Sequence, residues 1–328
     1  MSTARSPQQA GTPRSATAAP GVTGLPESSG PFAHTATEPV AVRPVGREFR
    51  RIAGVSSLWM SAAGLHPHGA LVAVSGADGG SGRSTLTAAL GEVLAAASPH
   101  PLVAIDASLR RWGGLAERVV TSVEATVRDA ADQIGDLNPD ADLDHLAQRT
   151  AGDLRVIIGE PGTGGRRPPT ADELAPVVAR ARSQYALTLL DLPEADAVWS
   201  IEALRSAVAP VLVARSTPDS LRHTLRLLHL LRADGYGQVA AAAIVVVMGT
   251  VPRPSRDVTA VQRQLRQVAA DVHRVPYDPA LAKPVSVEVR ALRRQTVAAL
   301  VAVAASVIER CPTNLAPPIW APADVGPS

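Results

Sequence analysis

The stretch Leu71–Leu94, which reads LVAVSGADGGSGRSTLTAALGEVL, decides the fold. It opens with a short apolar run, continues into a glycine-rich loop, and ends in a segment whose apolar residues recur at helical spacing. Strand, glycine loop and helix in this order are typical of a phosphate-binding loop. The glycines allow backbone N–H groups to face an anion, and the helix adds the positive end of its dipole.

The loop departs from the usual pattern G-x-x-x-x-G-K-[ST] at two positions. Ala77 stands at the first glycine and Arg83 at the lysine. The run 79–82 still offers a cradle of backbone N–H groups, and Ser84 still offers a hydroxyl for Mg²⁺. Taken alone, the loop could equally be an ordinary glycine-rich turn between a strand and a helix.

Composition restricts the class of protein. The 328 residues are 46% hydrophobic but only 3% aromatic, which predicts a large core of alanine, valine and leucine in one large domain or two small ones. A net charge of +2 gives no global basic field for nucleic acid. The single cysteine, Cys311, excludes an intrachain disulfide and fits a reducing, cytoplasmic location. No signal peptide and no membrane-spanning run is predicted.

The chain divides by composition into four parts. Residues 1–45 are rich in alanine, proline, serine and threonine, which predicts disorder. Residues 46–68 are expected to form a helix and a linker. Residues 69–310 form the α/β domain that contains the loop, and 311–328 form a proline-rich tail.

Within the domain, apolar runs alternate with helical segments, which predicts a mostly parallel sheet with helices on both faces. A capping box at Thr170–Glu173 starts a helix that reaches about Ala181. Thr217 and Pro218 start another, with Gly235 at its C-terminal end. Residues 127–150 are acidic and partly helical. The predicted strands are Leu71–Val74, Leu102–Ile105, Leu154–Ile158, Ala186–Leu190, Val211–Ala214, Ala243–Val247 and His273–Val275, and the last helix is Ala291–Glu309.

Two aspartates follow predicted strands. Asp106 ends the run LVAID, and Asp191 ends YALTLLD with Pro193 close behind. Ligands of open α/β sheets bind beyond the carboxyl ends of the strands, where both residues and the loop would meet. One aspartate at a strand end is commonly a turn or cap residue. Both of them together with the loop favour a nucleotide site.

At this point the chain resembles the MinD/ParA family of P-loop ATPases, in particular the branch found with actinobacterial secretion and partition systems. The resemblance covers roughly residues 69–309. It rests on four segments in order, which are DGGSGRST at Asp78–Thr85, IDASLRRWGGLAERV at Ile105–Val119, LLDLP at Leu189–Pro193 and VPYDPALA at Val275–Ala282.

The resemblance implies an α/β P-loop fold and ATP or ADP with Mg²⁺ as ligand. It assigns Ser84, Asp106 and Asp191 to the metal, with Asp106 also positioning water, and Arg83 to the phosphate charge. Met248 falls near an asparagine that reads adenine in relatives, which leaves base preference open. The residues assigned to the phosphates are Gly79, Gly80, Ser81, Gly82, Arg83, Ser84 and Thr85.

Two departures from the family bear on mechanism. Arg83 keeps the charge of the lysine but not its shape. The family has a second lysine where this chain has Asp78, and that lysine reaches the partner subunit's phosphates in an ATP-bridged dimer. A carboxylate about 4 Å from a phosphate oxygen costs about 4 kcal/mol at an effective dielectric near ~20. Asp78 therefore argues against such a dimer, unless it turns away or Arg110 or Arg111 substitutes.

Three hypotheses follow. The first is a cytoplasmic nucleotide-binding protein with weak or absent ATPase activity, which acts through a protein partner in a secretion, partition or division machine and reaches membranes only through that partner. The second is an active ATPase, with ATP-dependent homodimers, in which arginines replace both lysines. The third is a nucleotide-free scaffold with an occluded loop, for example one in which Arg83 pairs with Asp78, Asp106 or Asp191 in place of phosphate.

A nucleic-acid partner is not predicted. Arg222, Arg226 and Arg232 lie on one predicted helix, but other residues interrupt their charge and no aromatic residues lie between them. A solvated helix face is the expected structure for this segment.

Overall fold

The computed structural model describes residues 69–110, 114–119, 125–135, 142–160, 166–283 and 285–311. The predicted disordered segment 1–45, the predicted helix and linker at 46–68, and the tail beyond Cys311 lie outside the described residues. The four-part division of the chain therefore stays a prediction.

Eight strands and nine α-helices alternate through the described residues. The strands are β1 Ala70–Gly76, β2 Leu102–Asp106, β3 Gln148–Arg149, β4 Arg155–Ile157, β5 Leu187–Glu194, β6 Ala209–Arg215, β7 Ile244–Met248 and β8 Asp271–Val275. The helices are α1 Arg83–Ala97, α2 Val127–Gly135, α3 Ala171–Gln184, α4 Val198–Ser206, α5 Pro218–Ala233, α6 Gly237–Ala242, α7 Arg256–Leu265, α8 Pro279–Ala282 and α9 Arg294–Ile308.

The strands form one sheet in the order β3-β4-β2-β5-β1-β6-β7-β8. All pairings are parallel except that of β3 with β4, which is antiparallel. The predicted mostly parallel sheet is confirmed. Strand β3 was not predicted, because two residues are too few to show a periodic pattern.

Both faces of the sheet are buried, as the unbroken apolar runs predict. In β1, Val72 and Val74 pack toward a core that includes α1 and α9, whereas Leu71 and Ala73 pack toward one that includes α2–α7. The expectation of helices on both faces is confirmed. Because β1 lies between β5 and β6, the loop that follows it leaves from the middle of the sheet.

Most of the predicted helix ends are close to those in the structure. The capping box of Thr170 and Glu173 is present, and α3 runs three residues past the predicted end, to Gln184. Pro218 is the first residue of α5, although the side chain of Thr217 makes no capping bond. Gly235 adopts a φ of 89°, as expected of a glycine after a helix.

Some predicted boundaries were wrong. The last helix begins at Arg294 and not at Ala291, since a short 3₁₀ turn, Val289–Ala291, precedes it. Strand β5 continues beyond Leu190 to Glu194, so Asp191 lies within the strand. Cys311, which was assigned to the tail, is buried against the core. Within the described part of the chain, no helix has the length and apolarity needed to cross a membrane.

Candidate functional site

The glycine loop between β1 and α1 has the backbone geometry of an anion cradle. Gly80 and Gly82 adopt φ values of 66° and 96°, in the left-handed region that other residues rarely enter. Gly82 is the N-cap of α1, and that helix has neither a capping side chain nor an acidic residue in its first turn. Its first N–H groups and its dipole are therefore available to an anion.

Ser84, Asp106 and Asp191 are brought together beside this cradle, as the sequence predicted. Asp106 of β2 and Asp191 of β5 are direct register partners at the carboxyl side of the sheet. The side chain of Ser84, in the first turn of α1, hydrogen-bonds with Asp191, and Oγ1 of Thr87 donates to Oδ1 of Asp191 at 3.5 Å. A β-carbon added to Gly114 would lie 2.5 Å from Oγ of Ser84, so the segment after β2 lies directly over this hydroxyl.

Asp106 is oriented by the residues that follow it. Oδ1 accepts hydrogen bonds from the hydroxyl of Ser108 at 2.6 Å and from its backbone N–H at 3.1 Å. Oδ2 accepts one from the N–H of Leu115 at 3.3 Å. Between them, Leu109 adopts a φ of 54°, which is rare for leucine and typical of strained functional loops.

The two buried carboxylates perturb each other. Burial, with the neighbouring charge of Asp106 as a second cause, raises the pKa of Asp191 to about 7. Burial also raises the pKa of Asp106. Two adjacent carboxylates and a hydroxyl are hard oxygen donors, which fit Mg²⁺. No group of three or more histidine, cysteine, aspartate or glutamate side chains among the described residues could hold a metal ion. Water and phosphate oxygens would have to complete a Mg²⁺ shell, as is usual for that ion.

The side chain of Arg83 pairs with Glu194, which was not predicted to be a site residue. Its Nη2 lies 3.1 Å from Oε1 of Glu194, and its Nη1 donates to the backbone oxygen of Asp78 at 3.2 Å. Glu194 also pairs with Arg110. The carboxylate on Arg83 belongs to none of the three aspartates that served as examples of such a pair. An acid three residues after Asp191 was the signal that could have suggested it.

The side chain of Asp78 contacts α5 and the end of β6. Its Oδ1 lies 2.6 Å from Nδ1 of His223, and its Oδ2 lies 4.0 Å from Arg215. Burial alone would raise the pKa of Asp78, but hydrogen bonds from Ser220 and His223 and the nearby cationic side chains lower it below its ordinary value. The carboxylate of Asp78 thus has partners within the chain.

A cavity of about 330 Å³ opens beside the cradle. Gly80, Gly82, Thr85, Met248 and Tyr277 are among the residues that line it. Met248 thus borders the space where the resemblance put base recognition. The cavity is also lined by Ser81, Arg118 and Arg215, of which only Ser81 was predicted to be a site residue.

Two of these residues carry unused polar atoms. Oγ of Ser81 and Nε of Arg215 are buried, and neither has a hydrogen-bond partner among the described residues. Ser81 as a whole is only 1% exposed. A buried polar atom without a partner is costly, so a polar ligand in the cavity would relieve that cost.

Sequence comparison finds distant relatives. No protein-family model matches the chain. The ESX-1 secretion-associated protein EspI of Mycobacterium tuberculosis, in each of two strains, is 29% identical over 182 residues. The match covers 55% of this chain but only 27% of EspI, so the chain corresponds to little more than a quarter of that relative.

Structure comparison finds the same architecture in solved proteins. A ParA family ATPase from Chlorobium tepidum has a TM-score of 0.56 at 17% identity, over 72% of this chain and 98% of that one. The cell division ATPase MinD of Pyrococcus furiosus scores 0.53 at 16% identity, over 74% and 99%. Cobyrinic acid a,c-diamide synthase of Mycobacterium smegmatis, solved with an ATP analog and magnesium, scores 0.50 at 14% identity, over 75% and 99%.

Proposed function

We propose that this chain, which has the fold of the ParA and MinD ATPases, binds a magnesium–nucleotide complex and hydrolyses ATP weakly or not at all. It would act by binding a protein partner of a secretion machine. ATP or ADP with Mg²⁺ is the proposed ligand, and Ser84, Asp106 and Asp191 are its proposed metal residues.

The observation that carries the proposal is the convergence of Ser84, Asp106 and Asp191 beside a glycine cradle. A bound Mg²⁺ would neutralise charge on the phosphate groups. Ser84 and Asp191 would ligate the ion, and Asp106 would hold a water molecule of its shell. The residues 79–85 would donate backbone hydrogen bonds to the phosphates, and the cavity that Met248 and Tyr277 help to line would receive the nucleoside.

Weak hydrolysis is inferred from the state of the cationic groups. Phosphoryl transfer needs positive charge that is free to stabilise the transferred group in the transition state. Arg83 stands at the position of the catalytic lysine, but its guanidinium already pairs with Glu194. Asp78 stands at the position of the second lysine and pairs with His223. Neither position therefore offers an uncommitted cation to a terminal phosphate.

A protein partner is inferred from the relative that matches in sequence. EspI is described as associated with ESX-1 secretion. The shared region spans 182 residues, which is 55% of this chain. We infer that the domain serves a secretion system here too, with nucleotide as its conformational ligand.

The test is calorimetric titration of the full-length chain with Mg·ADP and Mg·ATP, followed by a turnover assay. We expect saturable binding and no turnover above that of Asp191→Ala. Asp234→Ala is the matched control. Helix α5 begins at the carboxyl edge of the sheet, where the site lies, and the exposed Asp234 caps the opposite end of that helix. Turnover as fast as that of active relatives, abolished by Asp191→Ala, would overturn weak hydrolysis. Absence of binding for both nucleotides would overturn the proposed ligand.

A further inference from the structure

One carboxylate at the phosphate loop engages two arginines. Glu194 ends strand β5 beside Gly76 of β1, and the N–H of Ala195 donates to the oxygen of Gly76 at 3.0 Å. From this fixed backbone position its side chain reaches Arg83 and Arg110. The side chains of Arg83 and Glu194 are 11% and 23% exposed, so the pair is largely shielded from water.

The pair of Arg83 and Glu194 lies where a phosphate-binding loop carries its cationic side chain. Arg83 stands where a P-loop lysine contacts the outer phosphates of a nucleotide. Oε1 of Glu194 also lies close to the loop, since a β-carbon added to Gly79 would be 3.2 Å from it. A carboxylate and a phosphate group bind a guanidinium through the same charge-assisted hydrogen bonds. Glu194 therefore competes with a phosphate for the same donor.

We propose that Glu194 is an internal substitute for the terminal phosphate, and that it makes the site select a nucleoside diphosphate over a nucleoside triphosphate. This inference rests on the proposed function, because it concerns the same nucleotide site.

A nucleoside diphosphate and a nucleoside triphosphate would encounter different charged groups in the site. A diphosphate uses the N–H groups of the cradle and of the first turn of α1, which leaves the pairs of Glu194 with Arg83 and Arg110 intact. A third phosphate would approach the carboxylate of Glu194, and to reach Arg83 it would have to break the existing ion pair.

The test is a calorimetric titration of the full-length chain and its variants with Mg·ADP and with Mg·ATP. We expect the unmodified chain to bind Mg·ADP at least about ten-fold more tightly than Mg·ATP. Glu194→Gln keeps the size of the side chain and removes its charge, so it should bring the ratio close to one, mainly by tightening Mg·ATP. Glu202→Gln is the matched control, because it removes a carboxylate whose partner, Arg205, lies 2.9 Å away on helix α4. It should leave the ratio unchanged.

A second variant guards against misfolding of the first. Glu194→Asp keeps the charge but shortens the side chain, which draws the carboxylate away from Arg83, so the ratio should move in the same direction by a smaller amount. If both nucleotides bind but neither Glu194 variant changes the ratio, the pair is structural only and the inference is overturned while the proposed function stands. If no form of the chain binds either nucleotide, the proposed function is overturned and the inference with it.

Discussion

Two parts of the candidate site balance their charges in opposite ways. We call the pair Asp106 and Asp191 the metal-facing end, and Arg83 and Asp78 with their partners the phosphate-facing end. At the metal-facing end, Asp106 and Asp191 are buried side by side, and burial and mutual repulsion raise the pKa of Asp191 to about 7. At the phosphate-facing end, Arg83 is already paired with Glu194 and Asp78 with His223. The first arrangement favours a cation from outside, whereas in the second the side chains of Arg83 and Asp78 already have partners within the chain. This difference underlies our proposal that the site takes a metal ion and resists an additional phosphate.

The largest expected effect comes from neutralising the metal-facing end. Asp191→Asn removes a proposed ligand of Mg²⁺, so the affinity for ADP in the presence of Mg²⁺ should fall about 100-fold, to the level seen with a chelator. The melting temperature of the unliganded protein should not fall, because the substitution removes one of two buried charges that repel each other. Calorimetry and thermal melting, each with and without Mg²⁺, measure both effects. A Mg²⁺ enhancement that survives the substitution would contradict the assignment.

A smaller effect is expected from crowding the same end without changing its charge. In Gly114→Ala the new β-carbon would lie 2.5 Å from Oγ of Ser84, so the hydroxyl or the covering segment must move. Mg·ADP affinity should fall about ten-fold, because the donor is misplaced but present. Gly237→Ala is the control, because its β-carbon would meet nothing within 4 Å. Equal Mg·ADP affinities for the two variants would mean that Gly114 does not shape the site.

The smallest effect concerns Asp78 at the phosphate-facing end. Its pKa lies below the ordinary value of 3.8, so its stabilising contribution is present above that pH and disappears as the pH falls through the lowered value. Asp78→Asn should therefore lower the free energy of unfolding by about 1 kcal/mol near neutral pH, and by less at about pH 3.

Urea denaturation at the two pH values measures this difference. Asp219→Asn is the control, since Asp219 is 84% exposed and pairs only with a neighbour on its own helix among the ion pairs of the described residues. It should change the unfolding free energy by no more than about 0.5 kcal/mol. An effect of Asp78→Asn that is as large in acid as at neutral pH would mean that its ion pair does not stabilise the fold.

The sequence predicted the sheet and the metal-facing end because both follow from local patterns and one topological rule. Apolar runs give the strands, parallel pairing aligns their carboxyl ends, and Asp106 and Asp191 then meet beside the loop. The expected segments converge as predicted, although β5 runs past Asp191 to Glu194.

The phosphate-facing end could not be predicted in the same way. The partners of Arg83 and Asp78 are Glu194 and His223, which lie 111 and 145 positions away in the chain. Which of several acids reaches a given arginine depends on side-chain direction in the folded chain, and no periodicity encodes it. The resemblance predicts Asp78 as the obstacle to phosphate, whereas we propose Glu194 for that role, because its carboxylate pairs with Arg83.

The most direct test of the central claim is electron paramagnetic resonance of Mn²⁺, used in place of Mg²⁺, with ADP and the full-length chain. If Ser84, Asp106 and Asp191 form one cation site beside the cradle, a protein-bound Mn²⁺ signal should appear only when ADP is present, and Asp191→Asn should abolish it. ADP that binds equally well in a chelator, with Mn²⁺ remaining free in solution, would contradict the claim.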